Sequence, residues 1–94
     1  PAEKPREALD FEKLIGRSEE EAVGVLGAPE ETIDQTPATV WRYRAQDCVL
    51  DVFFYADLVT EKRKALAYEV RLVAGKKITQ KACTDRLRIL LAKR

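Results

Sequence analysis

Ninety-four residues with 46% apolar and 35% charged side chains describe one globular domain that buries roughly 60–65% of its unfolded surface, and they exclude wholesale disorder. No apolar run approaches the ~18 residues that a bilayer span needs, and the absence of histidine removes the commonest base near neutral pH and the usual zinc ligand. The net charge of +1 hides an acidic front (ten acids against four bases in residues 1–35) and a basic end (seven bases against one acid in residues 76–94).

Residues 1–7 are polar, include Pro1 and Pro5, and are expected to form a flexible leader to a single α+β domain over residues 8–94. The chain begins at Pro1 and holds no methionine, which is compatible with removal of an export signal or lipid anchor. Ala8–Ile15 predicts a short helix, with Leu9, Phe11, Leu14 and Ile15 apolar and Gly16 as its stop. A second helix is predicted over Glu19–Leu26. Ser18 stands where a cap is needed, and Glu21, three residues on, can reach back to it. Three glutamates favour the positive end of the helix dipole. Gly27 can leave the helix with left-handed backbone, and Pro29 forbids its resumption. Ala22, Val23 and Leu26, helped by Val25, form the expected buried stripe. Together the two helices predict a hairpin whose acidic second helix excludes the DNA-binding version.

The middle of the chain reads as sheet. Glu31–Asp34 predicts a first strand ended by the Gln35-Thr36-Pro37 turn. Thr39–Arg44 alternates, sending Trp41 and Tyr43 to one face and Val40, Arg42 and Arg44 to the other. Residues 45–47 make a tight connection to Cys48–Tyr55, whose Cys48, Leu50, Val52 and Phe54 should face the helices while Asp51 marks the opposite side as partly wet. Asp57 and the charged segment Glu61–Lys64 predict a solvent-facing loop. Ala65–Val73 returns as a strand, with Leu66, Tyr68, Val70 and Leu72 on one face. Gly75-Lys76-Lys77 turns the chain into a final helix over Thr79–Lys93, where Cys83, Leu87, Leu90 and Leu91 share a side. Short loops join antiparallel neighbours, so the expected fold is α+β. A three- to four-stranded antiparallel meander carries the N-terminal helix hairpin and the C-terminal helix on the same face.

Periodicity aims Cys48 and Cys83 at one interior. A disulfide between them is the expected arrangement, which implies an oxidising compartment such as a bacterial periplasm; two buried free thiols are the alternative. No Cys-x-x-Cys spacing suggests redox catalysis. Ser18 is the sole serine and is committed to a cap, and two thiols without histidine cannot close a zinc site. No Gly-rich phosphate loop occurs. No cofactor, no metal and no enzymatic activity are therefore expected. The remaining enzymatic alternative is a small hydrolase or lyase using Asp47, Asp51 or Asp57 with Lys or Tyr. The opposed charged ends either attract one another across the fold or offer a basic patch to anionic lipid or an acidic partner. Nucleic acid is not an expected partner, because no aromatics interleave the basic residues. The candidate partner-binding residues are Trp41, Arg42, Tyr43 and Arg44. Adjacent arginines suit carboxylates or lipid phosphates, whereas Trp41 and Tyr43 also suit core packing.

Leu14-Ile15-Gly16-Arg17-Ser18-Glu19-Glu20-Glu21-Ala22-Val23, then Leu26-Gly27-Ala28-Pro29, then Val40-Trp41-Arg42-Tyr43, resemble the SmpA/OmlA (BamE-like) family of small envelope proteins. The resemblance covers about 40 residues of the chain. Arg17 stands where that pattern usually has methionine, and a cysteine-tethered C-terminal helix is not a standard part of it. The resemblance implies a fold related to the β-lactamase-inhibitor-protein module and carries no catalytic residues. It also implies a periplasmic or outer-membrane-anchored accessory protein. The expected form is a monomer that binds a protein partner or an anionic membrane surface. The alternative reading is an inhibitor-like module that docks its sheet on an enzyme.

Overall fold

The computed structural model describes residues 11–45, 48–73 and 78–92. The expected leader, the first three residues of the first predicted helix, the whole Gly75-Lys76-Lys77 turn, Asp47 and Lys93 at the end of the last predicted helix lie outside these residues. Four strands, β1 (Glu31–Gln35), β2 (Ala38–Arg44), β3 (Cys48–Ala56) and β4 (Arg63–Leu72), form an antiparallel meander in the order β1-β2-β3-β4. Helix α1 (Glu19–Leu26) precedes the sheet and helix α2 (Gln80–Ala92) follows it.

The N-terminal hairpin of two helices is corrected to one helix preceded by a 3-10 turn at Phe11–Leu14. Hydrogen bonds from Ile15 N to Glu12 O (3.2 Å) and from Arg17 N to Leu14 O (2.9 Å) close tight turns rather than α-helical ones. Gly16, at φ +90°, then swings the chain away after too few residues to offset helix nucleation. The turn is held by packing instead: Phe11 and Leu14 are buried, and the Phe11 ring meets Tyr68 edge-on at 5.8 Å.

The second helix follows its sequence signals closely. Ser18 Oγ accepts from Glu21 N (3.2 Å) and Glu21 Oε1 accepts from Ser18 N (3.0 Å), closing the capping box. Gly27 ends the helix at φ +84° with an extended ψ of −178°, a combination essentially reserved for glycine. Its carbonyl accepts from the Tyr43 hydroxyl at 2.8 Å, so the helix exit is tied to β2. Of the predicted stripe only Ala22 and Leu26 are buried; Val23 and Val25 are nearly half exposed. Two turns of helix can present only a narrow face to the sheet.

The core lies on one face of the sheet. Trp41, Tyr43, Cys48, Leu50, Val52, Phe54, Ala65 and Val70 meet Phe11, Leu14, Ala22 and Leu26 from the N-terminal side and Cys83, Leu87 and Leu91 from α2. Thr79 Oγ1 caps α2 by accepting from Ala82 N at 3.1 Å, and the Gln80 side chain donates to Val70 O at 2.6 Å. Cys83, Leu87 and Leu91 follow a four-residue spacing, which leaves Leu90 41% exposed rather than on the buried side. One strand expectation also changes. A bulge lies where Phe53 pairs with Ala67 while Phe54 pairs with Ala65. The extra residue breaks the alternation, so Ala65 takes the core position and Leu66 stands 56% exposed.

Residues preceding α1 also reach the outer edge of the sheet. Gly16 N donates to Ala65 O (2.7 Å), Ala65 N donates to Arg17 O (2.8 Å), and Ser18 bridges Lys64. The opposite edge is β1, short and largely exposed, with Pro29 before it and the cis Thr36–Pro37 bond after it.

Candidate functional site

The structure divides the four candidate partner-binding residues between two faces. Trp41 (8% exposed) and Tyr43 (0%) belong to the core, with the Trp41 ring 4.6 Å from that of Phe54. Of the two roles expected for them, core packing is the one observed, and neither ring is left at the surface for a partner. Full burial of side chains this size contributes about 2–3 kcal/mol each, which explains why the helices settle on this face. Arg42 and Arg44 lie on the opposite face, where the described helices contribute no buried side chain.

Strand register organises that face into rows. One row crosses all four strands as Glu31, Arg42, Asp51 and Glu69; the next crosses them as Ile33, Val40, Phe53 and Ala67. Asp51 is central and only 3% exposed. Arg42 Nε and Nη2 donate to its two oxygens at 2.8 and 3.2 Å, a bidentate grip, and Arg71 Nη2 and Nε donate to Oδ2 at 2.9 and 3.2 Å. Burial alone would raise the Asp51 pKa. The hydrogen bonds from Arg42 and then Arg71, together with their charges, outweigh it and hold the carboxyl below its ordinary value. Bonding to Asp51 correspondingly raises the Arg42 pKa against the effect of desolvation. Arg44 reaches Glu31 at 2.6 Å, Arg42 approaches Glu31 at 3.8 Å, and Arg71 approaches Glu69 at 3.8 Å.

This arrangement locks charge rather than moving it. An ionised carboxylate held by two guanidinium groups is a poor proton acceptor at neutral pH. Asp57 is committed as well: Val59 N donates to it at 2.8 Å and Lys64 pairs with it at 3.3 Å, so its pKa is lowered chiefly by the Val59 hydrogen bond. Neither Asp51 nor Asp57 lines the two shallow recesses described for the surface. One, of about 500 Å³, lies between the start of α1 and the β3–β4 loop; the other, of about 550 Å³, runs beside β4 between Ile15 and Thr84.

The Cys48–Cys83 disulfide is present, with Cα atoms 5.6 Å apart and both residues fully buried. It fits a non-cytoplasmic location. Among the described residues no helix is long and apolar enough to cross a membrane, and no three His, Cys, Asp or Glu side chains gather to hold a metal ion.

Sequence reasoning placed Asp51 at the surface and missed its role as a clamp. The signal was present, because a tight turn between Arg44 and Cys48 sets Arg42 opposite Asp51. Comparison with protein-family models, with curated proteins and with solved structures finds no match to this chain.

Proposed function

We propose that this chain is a non-enzymatic accessory protein of the bacterial cell envelope, exported and then held in the periplasm or at the outer membrane. There it binds a protein partner through the helix-free face of its sheet. The observation that carries this reading is the buried Cys48–Cys83 bridge, which is at home in an oxidising space. The resemblance to the SmpA/OmlA (BamE-like) family points to the same compartment, and the Tyr43–Gly27 hydrogen bond links two of the segments on which that resemblance rests.

The binding role draws on the pairing of rows. A locked, neutralised charge row beside an apolar row supplies shape and polarity with little side-chain entropy left to lose on binding. Half-buried Phe53 and Tyr55 on this face favour, as a second reading, an inhibitor-like module that docks the sheet on an enzyme.

The test is cell fractionation of the chain expressed with its native upstream sequence, combined with a photo-crosslinking residue at Tyr55 or Leu66 and a control at Lys81 on α2. Envelope location, oxidised cysteines and one discrete adduct from the sheet positions alone are expected. Cytoplasmic protein with reduced thiols would overturn the reading.

A further inference from the structure

We propose that β1 pairs antiparallel with the β1 of a second copy of this chain, about a two-fold axis at Ile33, and so joins two four-stranded sheets into one. Such a dimer departs from the monomer expected from the sequence and does not depend on the envelope reading. β1 is an outermost strand of the meander, and its register with β2 closes a two-residue turn on the pair Gln35–Ala38. The pair flanking such a turn is hydrogen-bonded, so alternation directs the backbone of Glu31 and Ile33 toward β2 and that of Thr32 and Asp34 outward. Among the described residues nothing bonds the outward N–H and C=O groups of Thr32 and Asp34.

The strand permits one full-length register with its own copy. Pro29 and Pro37 cannot donate to a ladder, and the window they enclose is centred on Ile33, as is β1 itself. Pairing about Ile33 sets Thr32 against the partner's Asp34 and Glu31 against the partner's Gln35. Each Thr32–Asp34 pair can then exchange N–H···O=C bonds in both directions. Pairing about Asp34 would instead oppose the two Asp34 carboxylates, and pairing about Thr32 would set Glu30 against the partner's Asp34. Both of those registers place like charges face to face.

Side chains fit the same two-fold axis. Ile33 is half-buried at the end of the row Ile33, Val40, Phe53 and Ala67, and meeting the partner's Ile33 continues that apolar row across both sheets. Residues opposed in this way form the closer, non-hydrogen-bonded pair of an antiparallel ladder, which suits aliphatic packing. Glu31 brings little net charge, because Arg44 reaches it at 2.6 Å and Arg42 at 3.8 Å. The nearest like charges across the axis are the two Asp34 carboxylates, on a diagonal of about 7–8 Å. Each already accepts from its own Thr36 hydroxyl at 2.9 Å.

This self-match favours a second copy over an unrelated strand, and the symmetry favours a closed pair over open growth. An isologous contact consumes the β1 margin of both copies, and one end of the far margin, at Lys64 and Ala65, is held by the chain's own backbone. The interface is small, a five-residue strand from each copy, and small interfaces are weak and transient. Half of the chains should be paired at roughly 0.1–1 mM.

The test is sedimentation velocity from about 10 µM to about 1 mM on the parent chain, Thr32→Pro, Gln35→Lys and Gln35→Glu. The parent should shift with concentration from 10.7 kDa toward twice that mass. Thr32→Pro removes an outward N–H and no bond to β2, so it should stay monomeric with its thermal unfolding little changed. Gln35→Lys, set against the partner's Glu31, should tighten the dimer about threefold or more, and Gln35→Glu should weaken it by a similar factor. The two Gln35 variants test the register even if Thr32→Pro unfolds. A parent that stays monomeric at every concentration would overturn the proposal. So would Gln35 variants that shift the equilibrium in the same direction, or a dimer that persists in folded Thr32→Pro. A monomeric parent whose crosslinked adduct with another protein is lost in Thr32→Pro would assign this edge to a strand of that protein instead.

Discussion

Removing the disulfide with Cys48→Ala/Cys83→Ala should be the most damaging pair of surface-neutral changes available in this domain. The bridge joins residues 35 positions apart. In the chain-entropy treatment, closing a loop of that length in the unfolded state contributes about 4 kcal/mol. Both residues are fully buried, so trimming the two sulfurs adds about 1 kcal/mol of lost packing. A loss of about 5 kcal/mol compares with a total stability of about 5–15 kcal/mol for a folded domain. The melting temperature should fall by about 20 °C or more, at about 4–8 °C per kcal/mol for a chain of this size. Thermal unfolding by circular dichroism reads the fall, and urea titration followed through Trp41, the sole tryptophan and nearly buried, reads the mechanism. A crosslink that acts on the unfolded chain keeps that state compact, so the variant should show a steeper urea dependence as well as an earlier midpoint. A variant that melts within about 5 °C of the parent with an unchanged urea slope would refute the reasoning.

Asp51→Asn keeps the shape of the buried clamp but removes its charge. Arg42 and Arg71 retain 23% and 43% side-chain exposure and can rehydrate, so the cost should be about 2 kcal/mol, below that of a fully buried pair. The folded-state pKa of Asp51 is lowered from its ordinary 3.8. Its contribution is therefore complete above that value and is lost as pH falls below it, and equilibrium unfolding across this acid range should flatten in Asp51→Asn. Arg44→Glu, on a half-exposed side chain, should change stability by about 0.5 kcal/mol or less, whereas Arg42→Glu, facing Asp51, should cost at least about 3 kcal/mol by urea titration. Two glycines should respond with opposite signs, since nothing lies within 4 Å of a Cβ added at either. Gly16→Ala should destabilise by about 1–2 kcal/mol because φ is +90°, and Gly24→Ala should stabilise by about 0.5–1 kcal/mol inside α1.

Where one local rule decided the outcome, the structure was legible in the sequence. The capping box at Ser18 and Glu21, the halt at Gly27 and Pro29, and the convergence of Cys48 and Cys83 all follow from spacing. Legibility failed where tertiary context outweighed the local pattern. Leu9 to Ile15 carries helical periodicity, yet Gly16 and the docking of Phe11 and Leu14 leave a 3-10 turn among the residues described. Leu66 fitted the alternation of its strand until one extra residue shifted the phase, an event that only pairing with β3 reveals. Asp51 resembled a wet-face marker because burial of a carboxylate depends on two arginines from different strands.

The strap formed by Gly16, Arg17 and Ser18 along β4 has a consequence for how copies of this protein coexist. A meander exposes two lateral margins, each able to template another chain. Here one end of the β4 margin, at Lys64 and Ala65, is occupied by the chain's own backbone, and the other margin is a five-residue strand set between prolines. Crowded molecules thus meet one short margin and one shortened by the strap and kinked by the bulge beside it, and clipping the chain ahead of α1 would lengthen the second and favour fibrous association.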